Sequence, residues 1–195
     1  MSDREIDQQL VERVQRGDKQ AFGLLVAKYQ RKLARLLSRL IRDPAEVEDV
    51  AQETFIKAYK ALPSFRGDSA FYTWLYRIGI NTAKNFLVSR NRRPPASDID
   101  IDDAEHFSDN QWLADINTPE NLALRDELQR VVDKAINDLP QDLRTAVTLR
   151  EFEGLSYEDI AAVMECPVGT VRSRIFRARE AIDQRVSELM GEGWQ

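Results

Sequence analysis

The sequence predicts an all-α protein in which two small helical bundles are joined by an acidic linker. Apolar residues recur at helical spacing in both halves of the chain, and no pattern typical of a β-hairpin is found. Residues 94–120 interrupt this periodicity, because they open with two prolines and show no sustained helical period. We therefore expect domains over residues 1–93 and 121–195, with a linker over residues 94–120.

The composition narrows the class of protein. With 43% hydrophobic and 31% charged residues, the chain is expected to fold and to be soluble. No run approaches the ~18 apolar residues of a membrane span, and the polar N-terminus is unlike a signal peptide. The single cysteine, Cys166, and single histidine, His106, argue against a disulfide and a zinc site. We expect a cytoplasmic protein that is not an enzyme, with no cofactor, metal or small-molecule substrate.

The net charge of −5 hides an uneven distribution. Residues 1–93 carry 18 Lys and Arg against 11 Asp and Glu, a balance of +7. Residues 94–120 hold 8 acids and no Lys or Arg, and residues 121–195 have a balance of −4. Local basic faces therefore remain compatible with a nucleic-acid partner despite the acidic average.

Local signals place the helices of the first bundle. Gly17 and Asp18 predict the end of a first short helix and the cap of a second. Asp43 followed by Pro44 predicts the start of a third helix, and a fourth is expected to begin near Ala70.

The second bundle is predicted to end in a helix-turn-helix. A long helix is expected from Pro119, Pro140 restarts the chain, and Gly154 ends the next helix. Ser156 and Asp159 have the spacing of a capping box, and a Cys-Pro turn leads into the last helix. The apolar residues of that helix fall within roughly one 60° sector, and they are Val171, Ile175, Ala178 and Ile182.

The opposite face of the last helix has the chemistry of a DNA-reading surface. Arginine pairs with guanine edges in the major groove, serine serves either base type, and an apolar ring can contact a thymine methyl. Flanking arginines suit phosphates. The face consists of Arg172, Ser173, Phe176 and Arg177, with Thr170 near the helix start and Arg174 and Arg179 on its flanks.

The alternative interpretation of this face is an ordinary solvated basic surface. Two features favour DNA binding over it: the outward phenylalanine, and the lack of any acid within residues 168–179 to pair with the arginines.

The fourth helix is expected to carry a second nucleic-acid surface. Residues 69–93 contain five Lys and Arg, five aromatic residues and no acid. An outward stripe of cations, amides and one indole is typical of single-strand binding and could also wedge a duplex open. The stripe is Trp74, Arg77, Asn81, Lys84 and Asn85. Phe71, Tyr72, Tyr76 and Phe86 are instead expected in the core.

The third helix shows one apolar residue amid polar neighbours on its outer face. Ile56 is flanked by Asp49, Gln52 and Glu53. It could anchor a protein partner, or it could be an isolated exposed residue that needs no explanation.

Three segments together resemble a known family. DVAQETFIKAYKAL, FRGDSAFYTWLYRIGINTAKN and LSYEDIAAVMECPVGTVRSRIFRARE resemble regions two and four of bacterial sigma factors. The similarity is to the extracytoplasmic-function group, and within it to envelope-stress members of the sigma-E/AlgU type. It covers nearly the whole chain except the acidic linker.

The resemblance implies a protein that binds core RNA polymerase and directs it to promoters, including those of stress genes. It implies docking of Asp49, Gln52, Glu53 and Ile56 on the β′ clamp helices, with the β subunit also contacted. The stripe around Trp74 would capture a flipped base of the minus-10 element, and the Arg172–Arg177 face would read the minus-35 element. It also implies inhibition by a membrane-bound anti-sigma factor, which would hold the protein at the inner membrane. Glu165 departs from the glycine common in helix-turn-helix turns.

Three questions stay open at the level of sequence. A polymerase-independent helix-turn-helix regulator would need a dimer surface and a sensor pocket, for which we find no signal. A pure protein-interaction module would leave the arginine face without purpose. The linker could occupy the path of nascent RNA through its eight acids, or it could be a solubilising spacer.

Overall fold

The structure is a computed structural model that describes residues 2–91 and 119–192, with side chains described over 2–91 and 126–188. Within these ranges it contains eight α-helices, no strand and one 3₁₀ turn, Leu62–Ser64, after the third helix. The predicted all-α class is confirmed, while the greater part of the linker lies outside the described residues. The helices are α1 (Asp3–Gln15), α2 (Lys19–Ser38), α3 (Pro44–Ala61), α4 (Phe71–Asn91), α5 (Pro119–Asn137), α6 (Gln141–Glu151), α7 (Tyr157–Met164) and α8 (Val168–Glu192).

The predicted helix starts in the N-terminal half are confirmed by their hydrogen bonds. The Asp18 carboxylate accepts from the backbone N–H groups of Gln20 and Ala21, after Gly17 has turned the chain with a φ of 99°. Asp43 caps α3 in the same way, with Pro44 in its first turn. Side-chain caps satisfy backbone donors that a helix start leaves free, so these short motifs fix the helix boundaries.

Helices α2, α3 and α4 pack closely around a shared apolar core. Leu33, Leu36 and Ile80 are fully buried there. Gly79 permits the close approach, because a Cβ atom at that position would lie 2.8 Å from Leu33 Cδ1 and 3.5 Å from Thr54 Cγ2. The inner face of α4 is therefore held at a fixed distance from both neighbouring helices.

A buried polar cluster fastens α1 to α2. The Tyr29 hydroxyl donates to the carboxylate of Asp7, which is 3% exposed, and Lys28 Nζ lies 2.7 Å from Asp7 Oδ1. Burial, reinforced by the nearby carboxylate, raises the pKa of Tyr29. The Asp7 carboxylate thus has both a hydrogen-bond donor and an opposite charge, as a buried carboxylate requires.

The C-terminal half contains the predicted helix-turn-helix. The Ser156 hydroxyl accepts from the Asp159 backbone N–H at 3.0 Å and donates to its carboxylate at 2.9 Å, so the capping pair is confirmed. Glu165 occupies the turn with φ 54° and ψ 46°, the left-handed conformation usually taken by glycine. Val171, Ile175 and Ala178 are buried as predicted, and Ile182 is partly buried.

The two halves are in contact with each other, which the sequence did not predict. Helix α7 packs against α4, and one apolar cluster runs through both halves. It contains Tyr76 and Ile80 of α4 together with Ile160 and Val163 of α7. The outer side of α4 is therefore partly covered by the C-terminal half.

Candidate nucleic-acid interface

The predicted reading face of α8 is open to solvent. Arg172, Ser173 and Arg177 are exposed, and Thr170 is half-buried at the helix start. Phe176 is 67% exposed, the largest exposed fraction among the large hydrophobic side chains of the described residues. Because this face combines exposed guanidinium groups with an outward ring, it can bind a groove that offers base-edge acceptors and methyl groups.

Tyr157, at the first position of α7, orients part of this face and was not singled out from the sequence. The Arg172 guanidinium lies 5.7 Å from the centre of the Tyr157 ring. Arg150 lies 4.8 Å from the same ring and donates to the Leu155 carbonyl at 2.7 Å. Guanidinium groups at these distances are attracted to the face of the ring, so Tyr157 favours these positions of both arginines.

The two flanking arginines of α8 have carboxylate partners that the sequence analysis missed. Arg174 Nη2 lies 2.7 Å from Asp142 Oδ2, and only 23% of its side chain is exposed. Arg179 is paired with Glu151, whose hydrogen bond raises the pKa of Arg179. Both partners belong to α6, which is distant in sequence. The absence of acids within residues 168–179 therefore did not mean that Arg174 and Arg179 lack carboxylate partners.

Trp74 does not lie on the outward stripe predicted for α4, so that placement is wrong. Its side chain is 8% exposed and packs on Phe65 and Phe71, with ring centroids 4.9 Å and 5.8 Å away. The loop before α4 folds back and supplies Phe65, which a helical projection of α4 alone cannot anticipate. Phe71 and Tyr76 are buried, and Tyr72 and Phe86 are partly buried, in agreement with their predicted core positions.

The remaining members of the stripe lie at the boundary with the C-terminal half. Arg77 and Asn81 approach Glu165, Lys84 approaches Asp142, and Asn85 is exposed. Asn85 also lines a cavity of about 360 Å³ between α3 and α4. Three of the donors predicted for single-strand binding, Arg77, Asn81 and Lys84, are therefore in contact with carboxylates of the same chain.

The outer face of α3 presents an exposed apolar pair within polar surroundings. Ile56 is 55% exposed and Tyr59, one turn further on, is 40% exposed. Tyr59 also packs against Phe22 of α2, with ring centroids 4.9 Å apart. The predicted neighbours Asp49, Gln52 and Glu53 are all exposed, as the sequence indicated.

Within the part of the chain that the structure describes, no group of three or more His, Cys, Asp or Glu could hold a metal ion. None of the described helices is both long enough and apolar enough to cross a membrane.

Comparison with protein families and known proteins gives a consistent result. The family model "Sigma-70 region 2" matches residues 25–93, and "Sigma-70, region 4" matches residues 129–182. The RNA polymerase sigma-H factor of Pseudomonas aeruginosa is 66% identical over 192 residues, which cover 98% of this chain and all of that protein. The ECF RNA polymerase sigma-E factor of Escherichia coli K12 is 62% identical, with 97% of this chain and 99% of that protein covered.

Two solved structures are similar over most of the chain. CnrH in complex with the cytosolic domain of CnrY has a TM-score of 0.68 at 29% identity and covers 94% of this chain and 98% of that one. The sigma factor RpoE in complex with the anti-sigma factor NepR from Bartonella quintana has a TM-score of 0.64 at 26% identity, covering 85% and 96%.

Two helical bundles, the second ending in a helix-turn-helix, define a DNA-binding transcription protein. The chain belongs to the sigma-70 family, in its extracytoplasmic-function group. It is a transcription initiation factor that binds core RNA polymerase and promoter DNA.

Proposed function

We propose that this sigma factor selects promoters through two separate surfaces and a third that docks on polymerase. The surface on α8 reads the minus-35 element in duplex DNA, and the surface on α4 holds the unpaired minus-10 strand. The observation that carries this proposal is the exposed reading face of α8, with Phe176 67% exposed between two exposed arginines, Arg172 and Arg177.

On α8 the four central residues read bases, and the flanking arginines contact phosphates. Arg172 and Arg177 donate to guanine edges, Ser173 completes the polar contacts and Phe176 meets a thymine methyl. Arg174 and Arg179 exchange their carboxylates, Asp142 and Glu151, for phosphate oxygens when DNA binds. Thr170 adds a hydroxyl near the helix start.

On α4 the strand contacts fall to Arg77, Asn81, Lys84 and Asn85. Amide groups can hydrogen-bond an extruded base, and cations can follow the phosphate backbone. Trp74 joins them only where the packing of Phe65 and Phe71 on its ring is released. Binding energy, and no covalent chemistry, drives strand opening in this scheme.

The outer face of α3 docks on the clamp helices of the polymerase β′ subunit. Its exposed Ile56 supplies an apolar anchor, and Asp49, Gln52 and Glu53 surround it with polar groups. An apolar centre within a polar rim is the arrangement typical of a protein interface. The N-terminal domain, residues 1–93, thus carries docking and minus-10 recognition, and residues 121–195 carry minus-35 recognition and contact the β subunit.

Regulation by an anti-sigma factor is part of the proposal. One of the two similar structures contains a sigma factor with the anti-sigma factor NepR, and the other contains CnrH with the cytosolic domain of CnrY; the first supports an inhibitor for this chain. We infer that the inhibitor is anchored in the inner membrane, that the sigma factor itself is cytoplasmic, and that the genes it serves respond to envelope stress.

Transcription with purified core polymerase tests the proposed function. Adding the chain to core polymerase should yield run-off transcripts from a promoter served by the Escherichia coli relative, and neither component alone should do so. The variant Ile56→Glu should lose co-purification with core polymerase, while the exposed control Leu24→Glu on α2 should keep it. A chain that shifts promoter DNA by itself and never supports polymerase-dependent initiation would instead be a stand-alone regulator.

A further inference from the structure

The aromatic ring of Tyr157 lies beside the reading face of α8, although it belongs to α7. Tyr157 is the first residue of that helix and directly follows its capping residue, Ser156. The ring is partly buried and packs against the apolar cluster to which Val171 and Ile175 of α8 belong. The helix cap and this packing together give the ring a defined position next to α8.

Two guanidinium groups face this ring from different helices. The Arg150 group, near the end of α6, lies 4.8 Å from the ring centre and is held there by a 2.7 Å hydrogen bond from its Nη1 to the Leu155 carbonyl. The Arg172 group of α8 lies 5.7 Å from the ring centre. Arg150 is partly buried, whereas Arg172 is exposed. Tyr157 and Arg150 thus form a fixed platform, and Arg172 is the exposed partner that the ring attracts.

The ring limits the conformational freedom of Arg172. An exposed arginine has many rotamers, and it loses them when its guanidinium engages a base edge. A bidentate contact with guanine needs the planar guanidinium fork at one angle. A ring that already favours one guanidinium position lowers the entropic cost of this contact. The benefit should therefore appear as selectivity between bases.

We propose that Tyr157 is a positioning residue for minus-35 recognition, which holds Arg172 ready for one guanine and so sets the selectivity at that base pair. This inference rests on the proposed reading role of Arg172. It also distinguishes the two arginines of the reading face, because Arg177 is not one of the two that face the ring. Part of the selectivity is then determined by α7, a helix that does not itself carry the reading face.

Two simpler roles for Tyr157 give different expectations. If the ring only fills space, another apolar side chain should replace it with no loss of selectivity. If the hydroxyl contacts a phosphate, Tyr157→Phe and Tyr157→Leu should lose affinity equally and at every minus-35 sequence. If the ring positions Arg172, its effect is preserved in Tyr157→Phe and removed in Tyr157→Leu.

The test measures selectivity one base pair at a time. Holoenzymes are assembled from core polymerase and full-length variants. Their affinity is measured for a promoter duplex served by the Escherichia coli relative and for duplexes with each minus-35 base pair substituted, and the ratio gives the selectivity at each position. Arg172→Ala identifies the base pair that Arg172 reads, and Arg177→Ala does so for Arg177. Phe152→Leu is the matched control, because it removes a ring that lies against a different guanidinium, that of Arg39.

We expect Tyr157→Leu to lower selectivity at the Arg172 base pair by roughly two- to fivefold, the range given by a cation–π contact at an exposed site. Selectivity at the Arg177 base pair should not change. Tyr157→Phe and Phe152→Leu should both keep the wild-type selectivity at every position. Adding Tyr157→Leu to Arg172→Ala should lower selectivity no further, because the ring acts through that arginine.

Three results would overturn the inference. They are an unchanged selectivity profile in Tyr157→Leu, a loss spread evenly over all minus-35 positions, and a loss in Tyr157→Phe as large as in Tyr157→Leu. A further loss in the double variant would overturn it as well, because the ring would then act without Arg172. Circular dichroism checks that Tyr157→Leu folds. If it does not, Tyr157→Met, which has a flexible apolar side chain and no ring, repeats the measurement.

The variant Arg172→Ala separates this inference from the proposed function. If it relaxes selectivity at one base pair and Tyr157→Leu leaves that base pair unaffected, only the positioning role of Tyr157 is refuted. If Arg172→Ala relaxes selectivity at no base pair, the reading role proposed for the α8 face fails.

Discussion

The reading face of α8 and the stripe on α4 carry similar donors but differ in what covers them. On α8, Arg172 and Arg177 are exposed to solvent. On α4, Arg77 and Lys84 face the carboxylates of Glu165 and Asp142. Two surfaces with the same chemistry are thus available to DNA to different degrees in the isolated chain.

This difference indicates an order of events. A face that is already free can meet duplex DNA without rearrangement, whereas a face covered by another part of the chain must first be uncovered. Substitutions on the α8 face, on α4 and at the contact between the two halves should therefore affect transcription, stability and compactness to different degrees.

The largest effect is expected from the open face. The variant Arg172→Ala, Arg177→Ala should reduce promoter-specific initiation by more than tenfold, because each bidentate pair with guanine contributes about 1–3 kcal/mol of discrimination. Run-off transcription from promoters with single substitutions in the minus-35 element measures it. Arg185→Ala, on the same helix, is the control. A uniform loss across all minus-35 sequences would mean that both arginines contact only phosphates.

The next effect concerns the inner side of α4, which positions its outer face. Gly79→Ala should lower the free energy of unfolding by about 1–3 kcal/mol, because the new Cβ would meet Leu33 at 2.8 Å. Gly23→Ala is the matched control. It lies within α2 with nothing near its added Cβ, so it should raise stability by about 0.5–1 kcal/mol. Urea unfolding followed by circular dichroism compares them, and equal stabilities would refute the close packing of α4.

Removing donors from the covered face should matter chiefly after polymerase has bound. Asn81→Ala with Lys84→Ala should reduce promoter opening by roughly tenfold, through loss of about 1–2 kcal/mol of hydrogen bonding to the strand. Permanganate reactivity of unpaired thymines measures this in the holoenzyme. Arg90→Ala, which removes an ion pair with Glu46 at the end of α4, should leave opening unchanged. Unaltered opening in the double variant would show that the strand binds elsewhere.

The smallest effect is expected at the contact between Arg39 and Phe152, which joins the two halves away from α4. The Arg39 guanidinium lies 3.4 Å from the centre of the Phe152 ring. Phe152→Ala should weaken the contact between the two halves by about 0.5–1 kcal/mol, the range of exposed cation–π pairs. The radius of gyration should rise slightly, whereas Val88→Ala, an exposed residue of α4, should not change it. An unchanged radius of gyration in Phe152→Ala would show that this contact does not hold the two halves together.

Local rules predicted the helices better than they predicted the surfaces. The caps at Asp18, Asp43 and Ser156 and the buried residues of α8 follow from short-range hydrogen bonding and periodicity, which a sequence displays directly. The exposure of Ile56 and Phe176 was predicted for the same reason.

The failures share a physical cause, which is contact between residues far apart in sequence. Trp74 is buried by Phe65 of a preceding loop, and Arg174 is paired with Asp142 of another helix. A helical projection assumes that each helix has one covered side, but α4 is covered by α2 and α3 on one side and by α7 on another. The identity of the second covering element depends on tertiary packing and has no signature in the sequence of α4.

The apolar cluster that runs through both halves has a consequence for protein turnover. When the halves separate, side chains such as Ile80 and Ile160 lose part of their cover, and an exposed apolar patch invites aggregation and proteolysis. The fraction of chains in which this surface is open to proteases therefore depends on the stability of the apolar contact between the two halves.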